Sequence, residues 1–87
     1  MPELTRFKGI VIKMYFERGS KHHKPHIHAQ YAEFKATIAL DGNLLAGSLP
    51  LKQFKIVVGW LALYEDEVYE AWHKAVQGEH FDKLPPF

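Results

Sequence analysis

The chain has 87 residues, with 11 Lys and Arg, 10 Asp and Glu, six His and no Cys. Its length predicts one small domain spanning residues 1–87, and its apolar fraction of 47% argues against a disordered chain. The lack of Cys excludes disulfides, thiolate metal sites and a cysteine nucleophile. We expect a cytoplasmic protein without a membrane span, because no apolar run reaches roughly 18 residues and the first residues lack a secretory signal.

The first predicted strand comprises residues 8–16, where polar and apolar side chains alternate as in a strand with one buried face. The apolar positions are Ile10, Ile12, Met14 and Phe16. Residues 17–25 are polar and predict an exposed loop. Two further strands, residues 26–32 and 34–40, are joined by a tight turn near Glu33. Asp41-Gly42-Asn43 then predicts a hairpin with a primed turn, followed by a short strand at residues 44–48.

The remainder of the chain predicts helix. Pro50 suits the first turn, apolar residues recur every three or four positions, and Gly78 is a typical stop. A straight helix over residues 51–76 would be about 39 Å long, whereas a compact domain of this size is about 31 Å across. We therefore predict a break near Tyr64. The resulting fold is α+β, with a three- to four-stranded antiparallel meander sheet and two C-terminal helices, or one kinked helix, packed on one face.

The sheet face opposite the helices is predicted to be polar and basic. It carries Lys13, Tyr15, His26, His28, Gln30, Lys35 and Thr37. Residues 1–30 have a net charge of +4 and residues 61–87 a net charge of −4. A basic surface of this kind favours a polyanion such as RNA. The candidate RNA-binding residues are Lys13, Arg18, Lys21, Lys24 and Lys35.

Four of the six histidines lie between positions 22 and 28. Strand geometry places His26 and His28 on the same face, where two imidazoles could act as base and acid in metal-independent RNA cleavage. Lys13 and Tyr15 complete this candidate catalytic set. A zinc or nickel site formed by His22, His23, His26 and His28 is the alternative. It is disfavoured because the neighbouring lysines repel cations, so no cofactor is expected.

Two non-catalytic alternatives remain open. The polar face could be an ordinary solvated surface. The chain could also be a protein-interaction adaptor that uses the acidic helical residues 65–70 and Trp60 as an interface residue, with a homodimer formed through the helical region.

Several segments of the chain form a recognisable combination. They are Gly9-Ile10-Val11-Ile12, Met14-Tyr15-Phe16, Pro25-His26-Ile27-His28-Ala29, Gly47-Ser48-Leu49-Pro50 and Trp60-Leu61. Together they resemble domain-of-unknown-function family 4160, a group of small bacterial proteins, and the resemblance covers roughly residues 2–84. The additional His22 and His23 depart from the family pattern, which makes them poorer candidates for a shared function.

The resemblance implies a short cytoplasmic protein whose family has no established activity. Members of this family are often encoded beside a second small domain, an arrangement similar to toxin–antitoxin pairs. It therefore implies a partner encoded by a neighbouring gene, and by analogy a protein that binds or cleaves RNA through a histidine.

Overall fold

The structure, a computed structural model, describes residues 3–15 and 24–87. It contains one antiparallel sheet, in which neighbouring strands follow each other along the chain in the order β1-β2-β3-β4-β5. The strands are β1 (Glu3–Phe7), β2 (Ile10–Lys13), β3 (His26–Tyr31), β4 (Phe34–Ala39) and β5 (Leu44–Gly47). The helices α1 (Leu51–Leu63) and α2 (Glu65–Val76) follow. The α+β class, the meander and the two helices are confirmed, but the sheet has five strands rather than three or four.

The additional strand is β1, and a two-residue turn at Lys8 and Gly9 joins it to β2. Both turn residues have positive φ, 48° and 76°, and Phe7 pairs directly with Ile10. Two positive φ angles are typical of a type I′ turn, whose twist matches that of a hairpin. The prediction that Lys8 and Gly9 lie inside a strand is therefore wrong.

The hairpin between β4 and β5 is confirmed, but its turn is not primed. The Gly42 N–H donates to the Ala39 carbonyl at 2.9 Å, and the Ala39 N–H donates to the Asn43 carbonyl at 2.8 Å. Gly42 has φ 99°, whereas Asp41 is not in the left-handed region. This pattern is a type I turn followed by a left-handed glycine, the usual three-residue hairpin loop.

Side-chain alternation along the strands divides the sheet into a buried face and an open face. Ile12, Ala29 and Ala36 lie opposite one another across β2, β3 and β4, and all three are buried. The helices cover this face. Their buried contributions are Val57, Trp60, Leu61, Val68, Ala71 and Trp72. The alternation predicted from the sequence is confirmed for these strands.

The break between the helices falls at Tyr64, as predicted. Tyr64 has φ −112° and ψ 32°, outside helical values, and α2 then begins with Glu65, Asp66 and Glu67. Acidic side chains stabilise the first turn of a helix through its dipole. After α2, Gly78 has φ 73°, and the Glu79 N–H donates to the Lys74 carbonyl, so the predicted stop is confirmed. Neither α1 nor α2 has the length and apolar character required to cross a membrane.

After α2 the chain returns to the sheet and covers Trp60. The Trp60 Nε1–H donates to the Pro85 carbonyl at 2.9 Å, and the Leu84 N–H donates to the Leu4 carbonyl at 2.8 Å. Trp60 is wholly buried. Trp60 is therefore covered by the chain's own segment in the monomer and is not an exposed surface residue, as an interface role would suggest.

Candidate functional site

A shallow cleft of about 370 Å³ lies on the open face of the sheet. Its polar lining residues are Lys13, Tyr15, His28, Gln30, Lys35 and Thr37. Val11, Ala29, Ala36, Ala46 and Gly47 complete the lining. Six of the seven residues predicted for the polar face are therefore brought together in one cleft.

His28 lies at the centre of this cleft because of the strand register. It pairs with Lys13 on β2 and with Thr37 on β4, so these three side chains form a row across the sheet. The Thr37 hydroxyl oxygen is 3.5 Å from His28 Nδ1. The Tyr15 ring stacks on the imidazole with a centroid distance of 4.3 Å and an interplanar angle of 4°. The orientation of the imidazole is thus fixed by groups from both neighbouring strand segments.

His26 is the predicted site residue that does not line the cleft. It lies on the same side of β3 as His28, but only 2% of it is exposed. Its Nδ1 lies 2.7 Å from the Lys24 carbonyl oxygen. Because a carbonyl oxygen only accepts, Nδ1 carries the proton in this hydrogen bond. Of the two histidines predicted to share an accessible face, only His28 therefore lines the cleft.

The rings of Tyr15, His28, His26 and Trp72 form a continuous series from the cleft to α2. The centroids of His28 and His26 are 5.2 Å apart, and those of His26 and Trp72 are 5.1 Å apart. His26 thus packs between the cleft histidine and the helix layer. Its position is that of a supporting residue for His28 rather than of a second cleft group.

The cleft contains Lys13 and Lys35, and none of the described residues that line it is acidic. Lys13 and Lys35 have no ion-pair partner within 4.0 Å among residues 3–15 and 24–87. Lys24, another predicted RNA-binding residue, lies outside the cleft, where its Nζ is 2.5 Å from Asp41 Oδ2. This ion pair lowers the pKa of Asp41. The predicted residues Arg18 and Lys21 lie outside the described residues.

The sequence pattern of this fold and cleft matches a family model described as Domain of unknown function (DUF4160), over residues 9–73. The match covers more than half of the chain. The chain belongs to the DUF4160 family. Every residue that lines the cleft falls within the matched DUF4160 region, whereas β1 and the last 14 residues fall outside it. No curated protein and no solved structure matches the chain.

In this DUF4160 chain, sequence reasoning missed the part of the cleft formed by β5. Gly47 has φ 74°, and a Cβ at this position would overlap the Lys35 carbonyl oxygen. The strand can approach β4 this closely only because residue 47 is glycine. Gly47 belongs to a segment that carries the family resemblance, but strand periodicity alone gives no signal that it borders a cleft.

The alternative metal site is not assembled by the described part of this DUF4160 chain. Within residues 3–15 and 24–87, no group of three or more His, Asp or Glu side chains is arranged to hold a metal ion. His22 and His23, which complete the predicted zinc or nickel set, lie outside the described residues.

Proposed function

We propose that this protein binds single-stranded RNA through the cleft on the open face of the sheet. The observation that carries the proposal is that the cleft contains two lysines, Lys13 and Lys35, which have no ion-pair partner among the described residues, and that no carboxylate of the described residues lines it. Lys13 and Lys35 would contact phosphates, while Gln30 and Thr37 offer hydrogen bonds to the sugar or to a base edge. Positive side chains gain affinity for RNA by releasing the counterions condensed on its phosphates.

RNA binding is supported better than RNA cleavage. Attack by a ribose 2′-hydroxyl requires a proton acceptor and a proton donor at one phosphate. Among the described residues, His28 is the one histidine that lines the cleft, since His26 is buried. Cleavage would need Tyr15 or Lys13 to act as the second proton-transfer group beside His28.

The proposed setting is a cytoplasmic toxin–antitoxin-like pair in which this protein is the RNA-engaging member. A small protein encoded by the neighbouring gene would be its partner. This part of the proposal rests on the family resemblance.

The test compares two double variants that lose the same charge. Lys13→Met with Lys35→Met removes both cleft cations, whereas Lys52→Met with Lys55→Met removes two exposed cations from α1. Fluorescence anisotropy with a labelled single-stranded RNA should show about ten-fold weaker binding for the cleft variant only. The slope of log K against log salt should fall in magnitude by about 1.4, the contribution of two phosphate contacts on a single strand.

Equal loss of affinity in both double variants would show that binding depends on net charge rather than on the cleft. No binding by the wild type at low salt would refute the proposal outright. Incubating the same RNA with wild type and with His28→Asn separates binding from cleavage. Products formed by wild type and absent with His28→Asn would add cleavage, with His28 as a catalytic residue.

A further inference from the structure

The segment Leu84-Pro85-Pro86-Phe87 is held against the body of the protein by three different kinds of contact. The Leu84 N–H donates to the Leu4 carbonyl on the outer edge of β1 at 2.8 Å. The Trp60 Nε1–H donates to the Pro85 carbonyl at 2.9 Å. The Phe87 ring meets Phe7 edge to face with centroids 6.0 Å apart. We call the surface that receives the segment, formed by Leu4, Phe7 and Trp60, the tail site.

Gly59 also belongs to the tail site, because its lack of a side chain leaves space for the Phe87 ring. A glycine in a helix interior costs about 1 kcal/mol relative to alanine, and Gly59 lies within α1. A Cβ at this position would lie 3.3 Å from Phe87 Cε2, closer than ordinary van der Waals contact. The helix therefore lacks a side chain where the aromatic ring is seated. Apart from the neighbouring residues and the backbone of α1, the Phe87 ring is the only group of the described residues within 4 Å of that Cβ position.

The contacts of the tail site are those by which proteins recognise short peptides. Backbone pairing with a sheet edge and aromatic groups that contact a proline-containing segment are both established modes of peptide binding. The segment is also lightly attached. Pro85 and Pro86 are exposed, Phe87 is 51% exposed, and residues 79–83 form neither helix nor strand. A segment with few buried contacts opens more easily than the core.

We propose that the tail site is a peptide-recognition site for a Leu-Pro-Pro-Phe pattern. It is filled by the chain's own segment in the monomer and by the segment of a second copy in an exchanged dimer. Residues 79–83 can span at most about 17 Å when extended, so the two bodies must lie side by side. When each copy places its segment in the tail site of the other, the two copies form a closed dimer with two-fold symmetry. The proposal does not depend on RNA binding, because the tail site and the cleft are formed by different residues.

The first experiment uses the full chain carrying Phe87→Ala and a synthetic peptide with the sequence of residues 82–87. The substitution weakens the attachment of the chain's own segment to the tail site, because it removes the ring contact with Phe7. Trp60 fluorescence reports occupancy, because its indole donates to Pro85. We expect the peptide to bind the variant about ten-fold tighter than wild type, whose own segment competes. A peptide with alanine in place of the phenylalanine should not bind. Leu63→Ala, which removes another exposed apolar side chain, should behave as wild type.

The second experiment keeps the proposal testable even if Phe87→Ala does not fold. In the wild type, the Leu84 amide should exchange its hydrogen at least about ten-fold faster than core strand amides, through local opening of the segment. Exchange of Leu84 only by global unfolding would overturn the proposal, as would failure of the peptide to bind a folded Phe87→Ala variant. Sedimentation should show a wild-type dimer that grows with concentration and is lost in Phe87→Ala. Peptide binding without such a dimer overturns the second copy as the occupant.

Discussion

Two histidines separated by one residue have different environments in this protein. His28 faces the cleft, whereas His26 is covered by Trp72 and donates to the Lys24 carbonyl. Strand alternation places both on the same side of β3, so alternation cannot distinguish them. What separates them is the packing of α2 over the beginning of β3. The two side chains should therefore respond differently to substitution.

Substitution of His26 should affect stability. His26→Ala removes a buried ring and its hydrogen bond, and we expect the free energy of unfolding to fall by about 2 kcal/mol. His26→Phe keeps the ring and should cost less. Urea denaturation of the two variants measures the difference. Unchanged stability in His26→Ala would contradict the packing described for this residue.

The ion pair between Lys24 and Asp41 makes a prediction about titration. The Lys24 ammonium lowers the pKa of Asp41, so the stabilisation by this pair is present above the unfolded-state pKa of aspartate. It is lost as the pH falls through the lower folded-state pKa. Lys24→Met should therefore raise the pKa of Asp41 towards its ordinary value, as followed by NMR of the carboxyl carbon. Lys55→Met serves as the control and should leave the pKa of Asp41 unchanged.

At the scale of the elements, the turns show where the sequence and the backbone conflict. The turn between β3 and β4 has φ 52° at Ala32, in the left-handed region that favours glycine. The strands on both sides impose this conformation, since Tyr31 pairs directly with Phe34. The alanine is therefore strained, and a glycine would relieve it.

Ala32→Gly should increase the free energy of unfolding by about 0.5–1 kcal/mol, the relief of left-handed strain less the added freedom of the unfolded chain. Ala62→Gly is the matched control on the exposed surface of α1, where glycine should destabilise by about 1 kcal/mol. Thermal or urea unfolding of both variants gives the comparison. A loss of stability in Ala32→Gly would contradict the observed φ.

The elements that the sequence predicted correctly are those with strong local signals. Alternation identified β2, β3 and β4, and the acidic residues after Tyr64 identified the helix break. β1 was missed because the first predicted strand began at Lys8 and no strand was assigned to the residues before it. A Lys-Gly pair between two apolar residues is compatible with a type I′ turn, and this was the signal that could have indicated a strand on its other side.

At the scale of the whole molecule, the sequence predicted which residues share the open face of the sheet but not the boundaries of the cleft on it. Six of the seven predicted face residues line the cleft because their positions depend only on strand alternation. The burial of His26 and Trp60 depends on α2 and on residues 84–87, which lie far along the chain from the groups they cover. Such contacts form only when the elements pack, and no local pattern encodes them.

The two ends of the charge gradient of the sequence lie in different layers of the molecule. Lys13 and Lys35 lie in the cleft on one side of the sheet. Glu65, Asp66 and Glu67 begin α2 in the helix layer on the other side. The exposed Lys52 and Lys55 lie on α1 in the same layer, so the acidic charge is concentrated in α2 rather than spread over the whole helical side.

The register of β3 connects the integrity of the cleft to that of the core. The row of Lys13, His28 and Thr37 adjoins the buried row of Ile12, Ala29 and Ala36. Shifting β3 by one residue would exchange its two sets of side chains, placing imidazole against the helices and aliphatic groups in the cleft. Loss of the buried Ile27 and Ala29 from the core would disfavour the misregistered sheet. The same register that packs Ile27 and Ala29 into the core therefore places His28 in the lining of the cleft.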